Sequence, residues 1–124
     1  MSSIKISTSN ISLNTELNDS PTAKAIYETL PIESIAQRWG DEIYFSVPVK
    51  SELEPQARID MAVGEIAYWP PGNAFCIFFG PTPASRSKQP RAASPVNPIG
   101  KITGDAKQLR AVKDSENIRI ERIL

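Results

Sequence analysis

Histidine is absent from this 124-residue chain, and cysteine occurs only once, as Cys76. Without histidine the chain has no Ser-His-Asp or Cys-His catalytic centre. One cysteine and no histidine also leave out the ligands of most zinc sites. A disulfide within the chain is excluded as well, which favours a cytoplasmic location. We therefore expect no metal site.

The chain also lacks a surplus of charge, because its 14 basic and 14 acidic residues give a formal net charge of zero. No global field therefore favours a nucleic acid or an anionic membrane as partner. No apolar run approaches the ~20 residues that span a bilayer, and the N-terminus has no hydrophobic signal core. No Gly-x-Gly-x-x-Gly or Gly-Lys-Ser/Thr phosphate loop is present. We therefore expect the protein to bind no nucleic acid, membrane or cofactor. The sequence does not indicate an oligomeric state.

Aromatic residues are concentrated in residues 65–83, which hold Trp69, Cys76, three of the four phenylalanines and four prolines. Two apolar runs flank Pro70-Pro71-Gly72-Asn73, which predicts a buried β-hairpin. Proline followed by glycine at the centre of the turn predicts type II geometry, with glycine supplying a positive φ. Phe75 and Phe78 should face opposite sides of their strand, so we expect that strand to be covered on both faces.

The remaining pattern predicts short strands and one good helix. Ser20 is suited to cap a helix over residues 21–30, with Pro21 at its first position. Asp105 is suited to cap a short helix over residues 106–111. A long segment of little periodicity, Pro81 to Pro98, is predicted as a loop. Strands are predicted at residues 4–6, 11–17, 32–39, 42–49, 59–63, 99–102 and 118–122.

Many short alternating strands are typical of barrels and sandwiches, and closure removes exposed sheet edges. We predict a mainly β fold: a closed antiparallel β-barrel of about eight strands with one or two short helices. At 124 residues the chain is expected to be a single domain, residues 1–124.

Two segments resemble cyclophilins. Ile11-Ser-Leu-Asn-Thr-Glu-Leu-Asn-Asp-Ser-Pro-Thr-Ala23 resembles their opening strand and helix start, and Ile99-Gly-Lys-Ile102 resembles their Gly-Lys-Val strand. Four further blocks are similar to a small prokaryotic family of uncharacterised proteins with a cyclophilin-like barrel: Trp39-Gly-Asp-Glu-Ile-Tyr-Phe45, Tyr68-Trp-Pro-Pro-Gly72, Phe75-Cys-Ile-Phe-Phe-Gly-Pro-Thr-Pro83 and Arg91-Ala-Ala-Ser-Pro-Val-Asn97. The resemblance covers nearly the whole chain and implies a cyclophilin-like fold.

Cyclophilins are peptidyl-prolyl isomerases, which the resemblance makes an alternative function. In that family an arginine polarises the amide beside an apolar slot for the proline ring, and a histidine and a tryptophan also line the slot. Counting back from Gly100, the histidine's place is held by Val96 or a neighbour and the tryptophan's by about Arg91. The resemblance thus implies, at most, a divergent isomerase that relies on an arginine.

The preferred hypothesis is a binding module without established catalysis. Its groove is expected between the central hairpin, the Trp39–Phe45 strand and the Pro81–Pro98 segment, and it would hold a small or peptide-like ligand. The candidate walls are Tyr44, Trp69, Phe75 and Phe79. The candidate polar anchors are Arg38, Arg91 and Asn97.

Each candidate has a structural alternative. Aromatic residues on adjacent strands are more often core than ligand contacts, and Arg38 is as readily explained by pairing with Asp41 or Glu42. Asp41 and Glu42 are adjacent, so their side chains point opposite ways along a strand, and Asp41 is predicted to lie in a turn. Cys76 is predicted to be a buried small hydrophobe. An interaction through an exposed edge near Pro48 is a third option.

Overall fold

The computed structural model describes residues 2–124, which form an antiparallel β structure with one α-helix and two short 3-10 helices. The helix α1 spans Pro21–Thr29, and the 3-10 helices span Pro70–Gly72 and Ala106–Ala111. No helix in this range has the length and apolarity needed to cross a membrane. The strands are β1 Ser2–Ser7, β2 Ser12–Leu17, β3 Ile32–Ile35, β4 Gln37–Arg38, β5 Glu42–Ser46, β6 Arg58–Asp60, β7 Glu65–Trp69, β8 Ala74–Phe78, β9 Arg91–Ile102 and β10 Asn117–Arg122.

The two helix caps expected from the sequence are present. Ser20 Oγ accepts a hydrogen bond from the backbone N–H of Ala23 at 3.2 Å, which satisfies one of the free donors of the first turn of α1. The carboxylate of Asp105 accepts from Lys107 N at 3.0 Å at the start of the second 3-10 helix. The apolar stripe of α1 is buried through Ala23 and Ile26, so the helix is held by packing.

The sheet runs in the order β3-β10-β1-β2-β9-β7-β8-β5-β4, with β6 paired to β9. The closed barrel of about eight strands is not confirmed, because residues 2–124 contain ten strands and the terminal strands β3 and β4 are not hydrogen-bonded to each other. These two strands are separated only by Ala36. Ala36 bonds to the segment before β10, through Glu116 O and Ser115 N, both at 2.8 Å.

Strand β8 is buried along its whole length, which confirms that it is covered on both faces. One face lies in the main core, where Phe75 stacks on Phe45 with ring centroids 5.2 Å apart. The other face lies in a smaller second core. The second core consists of Met61, Ala67, Ala74, Cys76, Phe78, Ala92 and Val96.

The turn of the central hairpin differs from the type II turn that the sequence suggests. Residues Pro70–Gly72 form a 3-10 turn, and the positive φ of 46° belongs to Asn73 rather than to Gly72. Gly72 is needed for another reason, since a Cβ there would lie 2.9 Å from the Trp69 ring. Asparagine tolerates the left-handed region, and here its side chain accepts a hydrogen bond from the Tyr68 hydroxyl at 3.0 Å.

The expectation of a loop from Pro81 to Pro98 is wrong for its second half. Strand β9 is twelve residues long and begins at Arg91. Its first half pairs with β6, and its second half pairs with β7 and β2. Pro95 and Pro98 lie within it, and the ladder shifts register against both β6 and β7, as prolines in strands require.

Candidate functional site

A cavity of about 220 Å³ opens at the edge of the second core. Trp39, Glu42 and Tyr44 line it from β5 and the turn before it, and Trp69 lines it from the end of β7. The remaining wall comes from the first half of β9 through three small apolar side chains, Ala92, Ala93 and Val96. The lining is thus aromatic and aliphatic, with one carboxyl group.

Glu42 reaches the cavity because of strand alternation. It stands opposite Phe78 in the β5–β8 ladder, and Tyr44 stands opposite Cys76, so all four side chains share the face of the second core. A tight turn fixes the start of β5, with backbone hydrogen bonds of 2.9 and 3.2 Å between Trp39 and Glu42. The glutamate is 6% exposed.

The carboxyl group of Glu42 has no cationic partner among residues 2–124. Burial raises its pKa from 4.5 to about 7, and a hydrogen bond from the Cys76 thiol offsets part of that rise. Its neighbour Asp41 differs, because Asp41 is paired with Arg38 at 3.3 Å and Arg110 at 3.6 Å. The cavity therefore holds a carboxyl group that keeps its proton to a higher pH than an exposed glutamate does.

The aromatic side chains that line the cavity are partly exposed, and their polar groups differ in hydrogen bonding. The indole N–H of Trp69 donates to Ser94 Oγ at 2.7 Å, which fixes that ring against β9. The Trp39 indole and the Tyr44 hydroxyl have no hydrogen-bond partner within the described chain, residues 2–124. Both polar groups are therefore free to meet solvent or a ligand.

Of the seven residues proposed from the sequence as binding residues, Tyr44 and Trp69 line this cavity. Phe75 and Phe79 are fully buried in the main core. Phe79 also lies beneath the guanidinium of Arg38, 5.0 Å from its ring centroid. The structure thus divides the four aromatic candidates between the cavity and the core.

Arg38 lies outside the cavity and is engaged with backbone. Its guanidinium donates to the carbonyls of Gly40 at 3.1 Å, Arg110 at 3.4 Å and Val112 at 2.7 Å, and to the Asp41 carboxylate. These bonds tie the turn before β5 to the second 3-10 helix. Arg38 therefore has a structural role.

Arg91 and Asn97 lie at two other places on β9. Arg91 faces Asp60 on β6, with 3.8 Å between the charged groups. Asn97 is fully buried, and its amide accepts from Glu54 N at 2.8 Å and donates to Glu52 O at 2.9 Å. Asn97 therefore holds the 50–57 segment, and neither residue lines the cavity.

Sequence reasoning missed most of the lining, above all Glu42 and Trp39. The available signal was the alternation of Glu42 and Tyr44 on the face opposite Ile43 and Phe45. Within residues 2–124, no group of three or more His, Cys, Asp or Glu residues is placed to hold a metal ion.

A family model described as Cyclophilin-like matches residues 2–121. The chain belongs to the cyclophilin-like family. The cyclophilin-like fold is also that of a hypothetical protein from Archaeoglobus fulgidus, whose solution structure superposes with a TM-score of 0.83 at 41% sequence identity. That match covers 98% of this chain and 95% of the archaeal one. A search of curated proteins finds no match. The resemblance to a small prokaryotic cyclophilin-like family is therefore confirmed.

Proposed function

We propose that this cyclophilin-like protein binds a small, largely apolar ligand in the cavity beside Glu42. The observation that supports it is the combination of three partly exposed aromatic side chains, Trp39, Tyr44 and Trp69, around one concave space. Ligand sites are concave and mostly apolar, with few polar groups that orient the ligand. The cavity lies among the three segments between which the sequence places a groove.

The cavity size limits the ligand. About 220 Å³ lies below the ~300 Å³ at which sites for drug-sized molecules begin, while a cavity of about 150 Å³ suffices for benzene. A ring with a short substituent fits this range. A peptide would have to leave most of its length outside.

The isomerase alternative has no comparable support. It requires an arginine beside an apolar slot, and no cationic side chain of residues 2–124 lines the cavity. Arg38 is occupied by three carbonyls and a carboxylate, and Arg91 faces Asp60. Ligand binding is therefore the function that we put forward.

The experiment is a ligand-observed NMR screen of small monocyclic aromatic compounds, with hits confirmed by calorimetry. The blocking variant is Ala93→Trp, since Ala93 is exposed at the cavity wall. The matched control is Ala111→Trp, which adds the same ring at an exposed position away from the cavity. We expect hits that Ala93→Trp abolishes and Ala111→Trp preserves. A screen without any such hit contradicts the proposal.

A further inference from the structure

The cavity combines aromatic faces with a buried carboxyl group that has no cationic partner among residues 2–124. Glu42 is 6% exposed, and the lining around it contributes no cation and no backbone donor bonded to its carboxylate in residues 2–124. Buried carboxylates are normally paired, because an isolated charge in an apolar site is costly. A positively charged hydrogen-bond donor in the cavity would stabilise the ionised carboxylate.

The side chains beside Glu42 suit such a partner. Trp39, Tyr44 and Trp69 line the same space. Aromatic faces attract cations through the ring quadrupole, tryptophan most strongly, and the attraction grows when the cation is desolvated. An organic ammonium group would meet the carboxylate while its apolar part contacts the rings and the alanines of β9.

We propose, resting on the ligand-binding function above, that the cavity selects small primary ammonium compounds with an aromatic or aliphatic ring, paired to the Glu42 carboxylate. An anionic ligand is disfavoured by the same carboxylate. A neutral ligand of equal shape gains only the apolar contacts.

The groups that face Glu42 determine the pH dependence. From β8 the Cys76 thiol faces it, and from β5 itself Tyr44 does. From β7 and β9 come only Trp69, Ala92, Ala93 and Val96, which carry no titratable group. Burial raises the pKa of Cys76 well above its usual value, and the charge of Glu42 raises it further, so the thiol stays protonated. Glu42 is thus the group that titrates near neutral pH.

The sign of the effect follows from these groups. An ammonium compound binds the ionised carboxylate, whose pKa is about 7, and the ligand remains protonated because alkylammonium groups titrate near ~10. Binding that requires the ionised form weakens in proportion to its population. Between pH 8 and pH 5.5 the affinity should fall on the order of tenfold or more.

The test compares three compounds of similar shape by calorimetry: 2-phenylethylamine, 2-phenylethanol and phenylacetate. At pH 8 we expect the amine to bind about tenfold more tightly than the alcohol, and phenylacetate to bind most weakly. The preference should shrink at pH 5.5. In Glu42→Gln the amine should bind no more tightly than the alcohol at either pH, and its affinity should no longer depend on pH.

The outcomes separate the two proposals. Equal binding of amine and alcohol, lost in Ala93→Trp, overturns the ammonium selectivity and supports the cavity. An amine preference that persists in Glu42→Gln overturns the role of the carboxylate. No binding of any of the three at either pH, together with a screen without cavity-dependent hits, overturns the ligand-binding function itself.

Discussion

The carboxyl group of Glu42 and the thiol of Cys76 interact across β5 and β8, on the face away from the main core: the thiol lowers the pKa of the carboxyl group, and the carboxyl group raises the pKa of the thiol. Cys76 Sγ also lies 3.8 Å from the carbonyl oxygen of Ala74. Neither member of the pair has a cationic partner within residues 2–124. Two acidic groups are therefore buried in the same poorly solvated region, and each keeps its proton to a higher pH than it would in water.

The first prediction concerns stability against pH. Burial raises the folded pKa of Glu42 from 4.5 to about 7, so the folded state binds more protons than the unfolded state between these values. The free energy of unfolding should then fall as pH rises through this window, by about 3 kcal/mol for this group. Glu42→Gln should remove that loss. Its free energy of unfolding relative to wild type should therefore be higher at pH 8 than at pH 5.

Urea unfolding at pH 5 and pH 8 measures this difference. Glu28→Gln, at an exposed position on α1, is the matched control. Its free energy of unfolding should change with pH as that of wild type does. A constant gap between wild type and Glu42→Gln at the two pH values would contradict the prediction.

The second prediction concerns thiol reactivity. Burial raises the pKa of Cys76 well above its usual range, and the Glu42 charge adds to the rise. The thiolate is the reactive form, so labelling by an aromatic disulfide reagent should require local opening. We expect native protein to react on the order of a thousandfold more slowly than protein unfolded in guanidinium chloride.

Glu42→Gln should retain most of this protection, because burial is the larger cause of the raised pKa. Native and unfolded rates of similar size would show that the second core is open to solvent.

The third prediction separates Arg38 from binding. Arg38→Ala removes the donors to the carbonyls of Arg110 and Val112 and should cost about 2 kcal/mol of stability. Affinity for cavity ligands should stay within about twofold of wild type, since Arg38 does not line the cavity. Denaturant unfolding and calorimetry on the same samples measure both. Arg86→Ala, an exposed arginine, is the control, and a loss of binding without a loss of stability would give Arg38 a ligand role.

The fourth prediction concerns Asn97. Its side chain joins Glu54 N, Glu52 O and the Thr22 hydroxyl, which in turn hydrogen-bonds to the Glu54 carboxylate. Asn97→Ala should leave these partly buried groups without their partner and cost about 2–3 kcal/mol. Hydrogen exchange should rise most at residues 52–57.

Asn117→Ala, at an exposed position on β10, is the control and should change neither stability nor exchange there. Unchanged exchange at residues 52–57 in Asn97→Ala would mean that the segment is held by other contacts.

Local pattern predicted much of the fold. The β1–β2 hairpin follows from simple alternation, and α1 follows from Ser20, Pro21 and the apolar stripe, since each depends on neighbours in sequence. Strand β9 was missed because Pro95 and Pro98 interrupt its alternation and because it changes partners midway from β6 to β7. Such a strand is defined by distant segments and not by its own residues.

The cavity lies among the segments between which the sequence predicts a groove, but most of the residues that line it were not predicted. Alternation shows that Glu42 and Tyr44 share a face, but it does not show what covers that face. The cover comes from Ala92 and Val96, about fifty residues later in the chain. Without this long-range contact, a carboxyl group on a strand would be expected to face solvent. The burial of Phe79 likewise cannot be recognised from its neighbours in the sequence.

The terminal strands of the main sheet, β3 and β4, contain four and two residues and are consecutive parts of one segment joined at Ala36. Unpaired edges are where other chains add strands and where fibrillar aggregation starts. Here the exposed backbone at both ends is too short to template a long intermolecular ladder. The two short strands that meet at Ala36 therefore offer little free backbone for another chain to pair with at the ends of this sheet.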